Sequence, residues 1–204
     1  FKPKTQDEIA NLKKQSFPED KEDRMLFFWN NRNARRKQSG SLLFWFNEFA
    51  NEVGRDKVRL IMHTDPNDPH GQPLHHIIEK LGNDGTMMVS SAKVPPKTLA
   101  DMYNMASCTV NISDAEGFGL ATLESLSCEI GIEPCSKTVI GSQQVPYIYE
   151  DRISKEDFKS ALHKIYNMTP EERQELGKKG REHVLKNYGF EKYCDKWVEI
   201  MTEV

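Results

Sequence analysis

The sequence predicts a doubly wound α/β fold, a parallel sheet with helices on both faces, and three observations carry that prediction. Short apolar runs of strand length alternate with amphipathic stretches of helix length. The first run, RMLFFWN at residues 24–30, is apolar and aromatic almost throughout, as suits a strand covered on both sides. Glycines stand where the helices should stop, at Gly54 and Gly82.

The elements follow in order. After the first strand, SGSLLFWFNEFANEVG places Leu42, Phe46, Phe49 and Val53 on one helical stripe. KVRLIMHT (57–64) reads as the second strand and PLHHIIEKLG (73–82) as a short helix. TMMVSS (86–91) is the third strand. PKTLADMYNMA (96–106) is the next helix, with Thr98 as its cap and Leu99, Met102 and Met105 facing inward. SCTVNIS (107–113) completes four strands. Further on, Thr169, Pro170 and Glu172 match a capping box with proline at the first helical position, which explains that stretch as helix construction alone. In sheets wound this way, ligands bind beyond the carboxyl ends of the strands.

Composition bounds the function. A chain of 204 residues suits a single domain, 1–204, with no room for a second. With 29% charged residues and a net charge of −3, it has no global attraction to nucleic acid or anionic membrane, so any basic site must be local. No apolar run approaches the roughly 20 residues of a membrane span, and FKPKTQDEIANLKKQ has no apolar signal core, so a cytoplasmic location is expected. Cys108, Cys128, Cys135 and Cys194 lack paired metal spacing and are expected to be reduced. HTDPNDPHGQPLHH gathers histidines and aspartates, but it reads as a loop without established ligand spacing, and no metal is expected there.

The informative stretch is SDAEGFGLATLES, residues 113–125. It leaves the fourth strand, turns at Gly117 and Gly119, and enters a helix at Leu120. A helix amino terminus offers free amide donors and partial positive charge, and glycine lets an anion approach the backbone. The same glycines also serve a tight turn on geometric grounds alone. Glu116 precedes the turn and Glu124 follows it inside the helix, so both can face one crevice. A carboxylate accepts paired hydrogen bonds from vicinal hydroxyls, and an anion between two such carboxylates describes a sugar nucleotide. A helix-end charge at Glu116 and a solvated face at Glu124 are the plainer alternatives.

EGFGLATLE fits the E-x7-E signature of retaining GT-B glycosyltransferases, and LADMYNMASCTVNISDAEGFGLATLESLSC resembles the carboxy-terminal, donor-binding domain of glycosyltransferase family 4. That resemblance implies the carboxy-terminal half of a GT-B fold. It implies that Glu116 contacts the donor sugar, that Glu124 binds the ribose, and that Gly117, Phe118, Gly119, Leu120 and Ala121 surround the diphosphate. NNRNARRKQSG (30–40) places cations at the same sheet edge, where arginine grips phosphate in bidentate fashion and lysine supplies a point charge. Arg32 and Lys37 match the family's leaving-group pair best; Arg35 and Arg36 match less well. Asn31 stands where the family often carries glycine. Lys93 and Val94 fall where the family's nucleotide base packs, or at an ordinary strand exit.

The resemblance further implies a retaining transfer from a nucleotide-diphosphate sugar, with no cofactor and no DxD-bound metal, to an unidentified acceptor held by an amino-terminal domain that this chain does not contain. The isolated chain is then expected to be inactive, and peripheral membrane contact through the missing domain stays open. A non-catalytic nucleotide-sugar binding module and a GT-B-fold epimerase are the alternatives. The sequence also departs from the family. After ESLSC it passes directly to EIGIEPCSKTVIG without a further βα unit, so an omitted segment is expected at 128–129, with EIGIEP resuming at a sheet edge.

Overall fold

A computed structural model describes residues 2–20, 22–116, 132–140, 147–188 and 190–202. The elements are α1 (Gln6–Ser16), β1 (Met25–Asn30), a 3-10 turn (Arg35–Lys37), α2 (Ser39–Val53), β2 (Val58–His63), α3 (Leu74–Leu81), β3 (Met87–Ser90), α4 (Pro96–Met105) and β4 (Cys108–Thr109). There follow β5 (Ser136–Ile140), β6 (Ile148–Arg152), α5 (Lys155–Asn167), α6 (Pro170–Tyr188) and α7 (Phe190–Thr202).

The main sheet runs β3-β2-β1-β4 and is parallel throughout. Strand alternation divides β1 between two cores. Phe27 and Trp29 point to one face, where α2 supplies Leu42, Phe46 and Phe49, α3 supplies Leu74, Ile77 and Ile78, and α5 supplies Phe158, Leu162 and Ile165. The Phe27 ring meets those of Phe46 and Phe49 edge-on at 5.4 and 5.7 Å. Leu26 and Phe28 point to the opposite face, against Tyr103 and Met105 of α4 and partly buried Leu12 and Phe17 beside α1. Helices therefore cover both faces, which makes the sheet doubly wound and Rossmann-like.

Two local readings of the sequence are corrected. Helix α4 begins at Pro96 with Pro95 in the cap position, so Thr98 lies inside the first turn and caps nothing. A proline at the first helical position has its φ already set and no amide to satisfy, so the helix starts there instead. The fourth strand pairs with β1 only at Cys108–Thr109, with two flanking bonds, Ser107 N to Leu26 O and Val110 N to Phe28 O, both at 2.8 Å. Beyond it the backbone turns to other partners: Asp114 N donates to Arg36 O at 2.8 Å.

The sequence reading also lacked α1, whose amino terminus is a capping box: Glu8 N donates to Thr5 Oγ1 at 3.3 Å and Thr5 N to Glu8 Oε2 at 2.8 Å. The same device starts α6 through Thr169 and Glu172, as expected. The expected break at 128–129 lies outside the described residues. Residues 132–134 are irregular instead of forming a strand, and β5 and β6 make an antiparallel hairpin with Ser136 opposite Arg152. Cys108, Cys135 and Cys194 are free thiols, and Cys128 lies outside the described residues.

One charge lies deep in the fold. Arg59, on β2, is 1% exposed. Its Nη1 and Nη2 donate to Asp20 at 2.6 and 2.9 Å, its Nε donates to Gly85 O at 2.8 Å, and its guanidinium lies 4.3 Å from the centre of the Phe17 ring. This fork ties the segment between α1 and β1 to the sheet.

Candidate functional site

At the carboxyl end of β1 the chain turns sharply through Asn31–Gln38 before α2. Its backbone bonds close the turn on itself and tie it to the loop after β2. Ala34 N donates to Arg32 O, Lys37 N to Ala34 O, and Arg35 N to His70 O in the loop after β2. Gln38 adopts the left-handed conformation, with φ 55°. For a residue with a Cβ this costs about 1–2 kcal/mol. Its amide group is held at both ends: Nε2 donates to Asp114 Oδ2 at 2.6 Å, and Oε1 accepts from Ser41 at 2.7 Å. Asp114, 5% exposed, thereby pins the segment after β4 onto the basic turn by side chain and backbone together.

Beneath the turn sits Asn33, fully buried. Its Oδ1 accepts from Ser39 Oγ at 2.6 Å and Gln72 N at 3.2 Å, and its Nδ2 donates to Gln72 O at 2.8 Å. The loop carrying residues 64–73 packs so closely here that a Cβ on Gly71 would overlap Asn33. Asn33→Ala leaves the buried Ser39 hydroxyl and the Gln72 backbone without their partner. A loss of about 1–3 kcal/mol in denaturant-measured stability is the expected result, and an unchanged midpoint would show that this joint carries no stability.

Each cation of the turn faces a carboxylate from a different part of the chain. Arg32 meets Asp68 of the loop after β2, through Nε to Oδ2 at 2.6 Å and Nη2 to Oδ1 at 3.3 Å. Arg35 meets Glu150 of β6 at 2.5 and 3.3 Å. Arg36 Nη1 donates to Ala115 O at 2.5 Å and to Glu116 Oε2 at 3.3 Å. Lys37, buried apart from 8% of its side chain, donates to Asn31 Oδ1 at 2.8 Å and to Glu116 Oε1.

These pairings set the charges. Hydrogen bonding from Arg35 holds Glu150 below the ordinary carboxylate value, and bonding to Glu150 raises Arg35. For Glu116, burial pushes the carboxyl up. Hydrogen bonds from Lys37 and Ser113, with the Lys37 charge and Arg36, outweigh it and leave the value lowered. At the end of β2, burial lowers the His63 imidazole despite an opposing hydrogen bond with the Ser90 backbone; its Nδ1 also lies 3.1 Å from Ser90 Oγ. His63 is thus an uncharged hydrogen-bonding group at neutral pH.

Of the residues singled out from sequence, Lys37 and Glu116 meet at the exits of β1 and β4, whereas Arg32, in the same turn, pairs with Asp68 and His70 of the loop after β2. Lys93 and Val94 lie in the irregular segment between β3 and α4, the first exposed and the second half-buried. Gly117, Phe118, Gly119, Leu120, Ala121 and Glu124 lie outside the described residues. Asp68, Asp114, Glu150, Asn33 and Gln38 were not singled out as site residues, since one acid or amide in a polar loop carries no periodic or spacing signal. The arrangement presents several cations, each already charge-paired, where a parallel sheet receives its ligands. Among the described residues, no three His, Cys, Asp or Glu side chains converge as a metal site, and no helix is long and apolar enough to cross a membrane.

A parallel Rossmann-like sheet with a basic turn at its carboxyl edge is an α/β architecture of the kind whose ligands bind beyond the strand ends. Residues 11–183 match the family described as Glycosyl transferases group 1, and the chain belongs to that family. No curated protein matches the chain significantly.

Solved structures share the fold at low identity. HepE of Anabaena, in complex with UDP-glucose, is 11% identical with a TM-score of 0.72, over 99% of this chain and 54% of that one. A mutant of S. aureus TarM, in complex with Fondaparinux, alpha-GlcNAc-glycerol and UDP, is 16% identical with a TM-score of 0.64, over 87% of this chain and 35% of that one. The C-terminal domain of the glycosyl transferase group 1 family protein LpcC from Francisella tularensis is 15% identical with a TM-score of 0.58, over 87% of this chain and 93% of that domain. The chain thus spans about a third to a half of the longer structures it resembles, and its fold is that of the carboxy-terminal half of GT-B glycosyltransferases.

Proposed function

We propose that this chain is the donor-binding half of a retaining glycosyltransferase and takes a nucleotide-diphosphate sugar for hexosyl transfer. The observation that carries this reading is the meeting of Lys37, Arg36 and Glu116 where the β1 and β4 exits converge. The E-x7-E stretch begins at that same glutamate. Complexes of fold relatives with UDP and UDP-glucose support a nucleotide-sugar donor.

In the transfer, the bond between the anomeric carbon and the diphosphate oxygen breaks and its electron pair leaves on the diphosphate. The acceptor hydroxyl oxygen bonds to the same face of that carbon, and its proton passes to the departing oxygen. The centre is oxocarbenium-like while the leaving group gains charge, so fixed cations aimed at the diphosphate lower the barrier. Lys37 and Arg32 take that role, and Glu116 positions the sugar. SDAE contains no DxD, and the cations of the turn supply the charge that a metal supplies elsewhere. The acceptor is held by a further domain of the complete enzyme.

Calorimetric titration with nucleoside diphosphates and nucleotide sugars tests the reading, and no heat with any of them would overturn it. Glu124→Ala is expected to weaken diphosphate binding by about 1–3 kcal/mol through loss of the ribose contact, whereas Glu116→Ala spares the nucleotide. Equal losses in both variants would contradict this division of roles.

A further inference from the structure

Arg32 is itself exposed, but the carboxylate that faces it is held in place by its own loop. Asp68 is 11% exposed at its side chain while that of Arg32 is 62% exposed. The Asp68 carboxylate is gripped by its own loop: Oδ1 accepts from His70 N at 2.9 Å and lies 3.1 Å from His70 Nδ1. That loop is fastened below by Asn33 and above by Arg35 N on His70 O at 2.9 Å. Asp68 takes the Nε and Nη2 edge of the guanidinium, and His70 Nδ1 stands 3.0 Å from Nη2. Among the described residues, no hydrogen bond engages Nη1.

We propose that Asp68 is a positioning residue that holds Arg32 with its Nη1 edge turned to the donor's diphosphate; this rests on the donor reading given above. A long, exposed arginine loses rotamer freedom when it grips a ligand, and a partner that has already fixed it removes that cost from binding. The inference has a sign that simple electrostatics opposes. Removing a negative charge beside a phosphate site strengthens anion binding if Asp68 merely competes for Arg32, and weakens it if Asp68 aims Arg32.

The test is a cycle of Asp68→Asn, Arg32→Ala and the double variant, titrated at low ionic strength with whichever of UDP, GDP or ADP the wild-type protein binds. Asparagine keeps the size of the side chain but not the paired carboxylate acceptors. Asp68→Asn is expected to weaken the diphosphate roughly three- to tenfold, and to have no further effect once Arg32 is alanine. Unchanged or tighter binding in Asp68→Asn overturns the inference. A loss that persists in the Arg32→Ala background also overturns it, because the loop would then be acting by its fold and not through Arg32. Wild-type protein that binds no diphosphate overturns the donor reading and this inference together, whereas the first two outcomes leave the donor reading standing.

Discussion

Asp20→Ala is expected to cost about 3–5 kcal/mol of folding stability, because it strands a guanidinium in the interior. Arg59 is almost wholly enclosed, and Asp20 is its bidentate partner at 2.6 and 2.9 Å. Gly85 O takes a third N–H, and the Phe17 ring covers the face of the group, so little water can reach it. Removing the carboxylate leaves the desolvation cost of the cation offset only by Gly85 O, the Phe17 face and Glu19, whose Oε1 lies 3.9 Å from Nη2. Replacing both members, Arg59→Met with Asp20→Ala, is expected to recover most of the loss, since an apolar side chain of similar length carries no such cost. Urea unfolding of the two variants decides the matter, and Asp20→Ala as stable as the wild type would show that Asp20 does not carry the buried charge of Arg59.

Lys37→Met is expected to lower nucleoside diphosphate affinity by about 1.5–3 kcal/mol, the range for a hydrogen bond to a charged group. In the complete enzyme it should reduce turnover on the order of a hundredfold, as when one fixed donor to a developing charge is removed. Methionine keeps the buried stem and deletes only the ammonium, so the fold should survive. Glu116 then loses its closest cation and keeps Arg36 at 3.3 Å. Calorimetry with the diphosphate measures the first effect and initial rates with a nucleotide sugar the second. Full affinity in Lys37→Met would take Lys37 out of the leaving-group role.

The fold was legible because its signals are periodic. RMLFFWN and KVRLIMHT read as strands and became β1 and β2, and the stripe Leu42, Phe46 and Phe49 read as a buried helix face and became one. The places where the reading failed depend on single atoms. Thr98 looked like a cap until the prolines before it started the helix earlier. The fourth strand is short because Asp114 turns its backbone to Arg36 instead of to β1. The T-x-x-E at Thr5–Glu8 was a readable sign of α1, since the capping box is a sequence pattern.

At the site, the cations of NNRNARRKQSG were visible as a cluster, and Glu116 was visible through its motif. Their partners were not. Asp68 lies 36 residues from Arg32, and Glu150 lies 115 residues from Arg35, so those pairings are set by tertiary packing and leave no mark on local spacing. Glu150 in particular comes from an antiparallel strand pair that follows the point where the sequence lacks the family's further βα unit, so nothing in that pattern pointed to it.

The strand order has a consequence for the nascent chain. Of the four strands of this sheet β1 is made before the others, and it lies inside the sheet with β2 on one side and β4 on the other. Once β2 has emerged, one edge of the LFFW run is paired, but the other waits for Cys108 and Thr109, roughly 45 residues further along. At about 5–20 residues per second on the ribosome, that open apolar edge persists for a few seconds. An unpaired apolar strand edge is a template for pairing with another chain. Slow translation between β2 and β4 should therefore raise the insoluble fraction of the newly made protein, while slow translation after β4 should not.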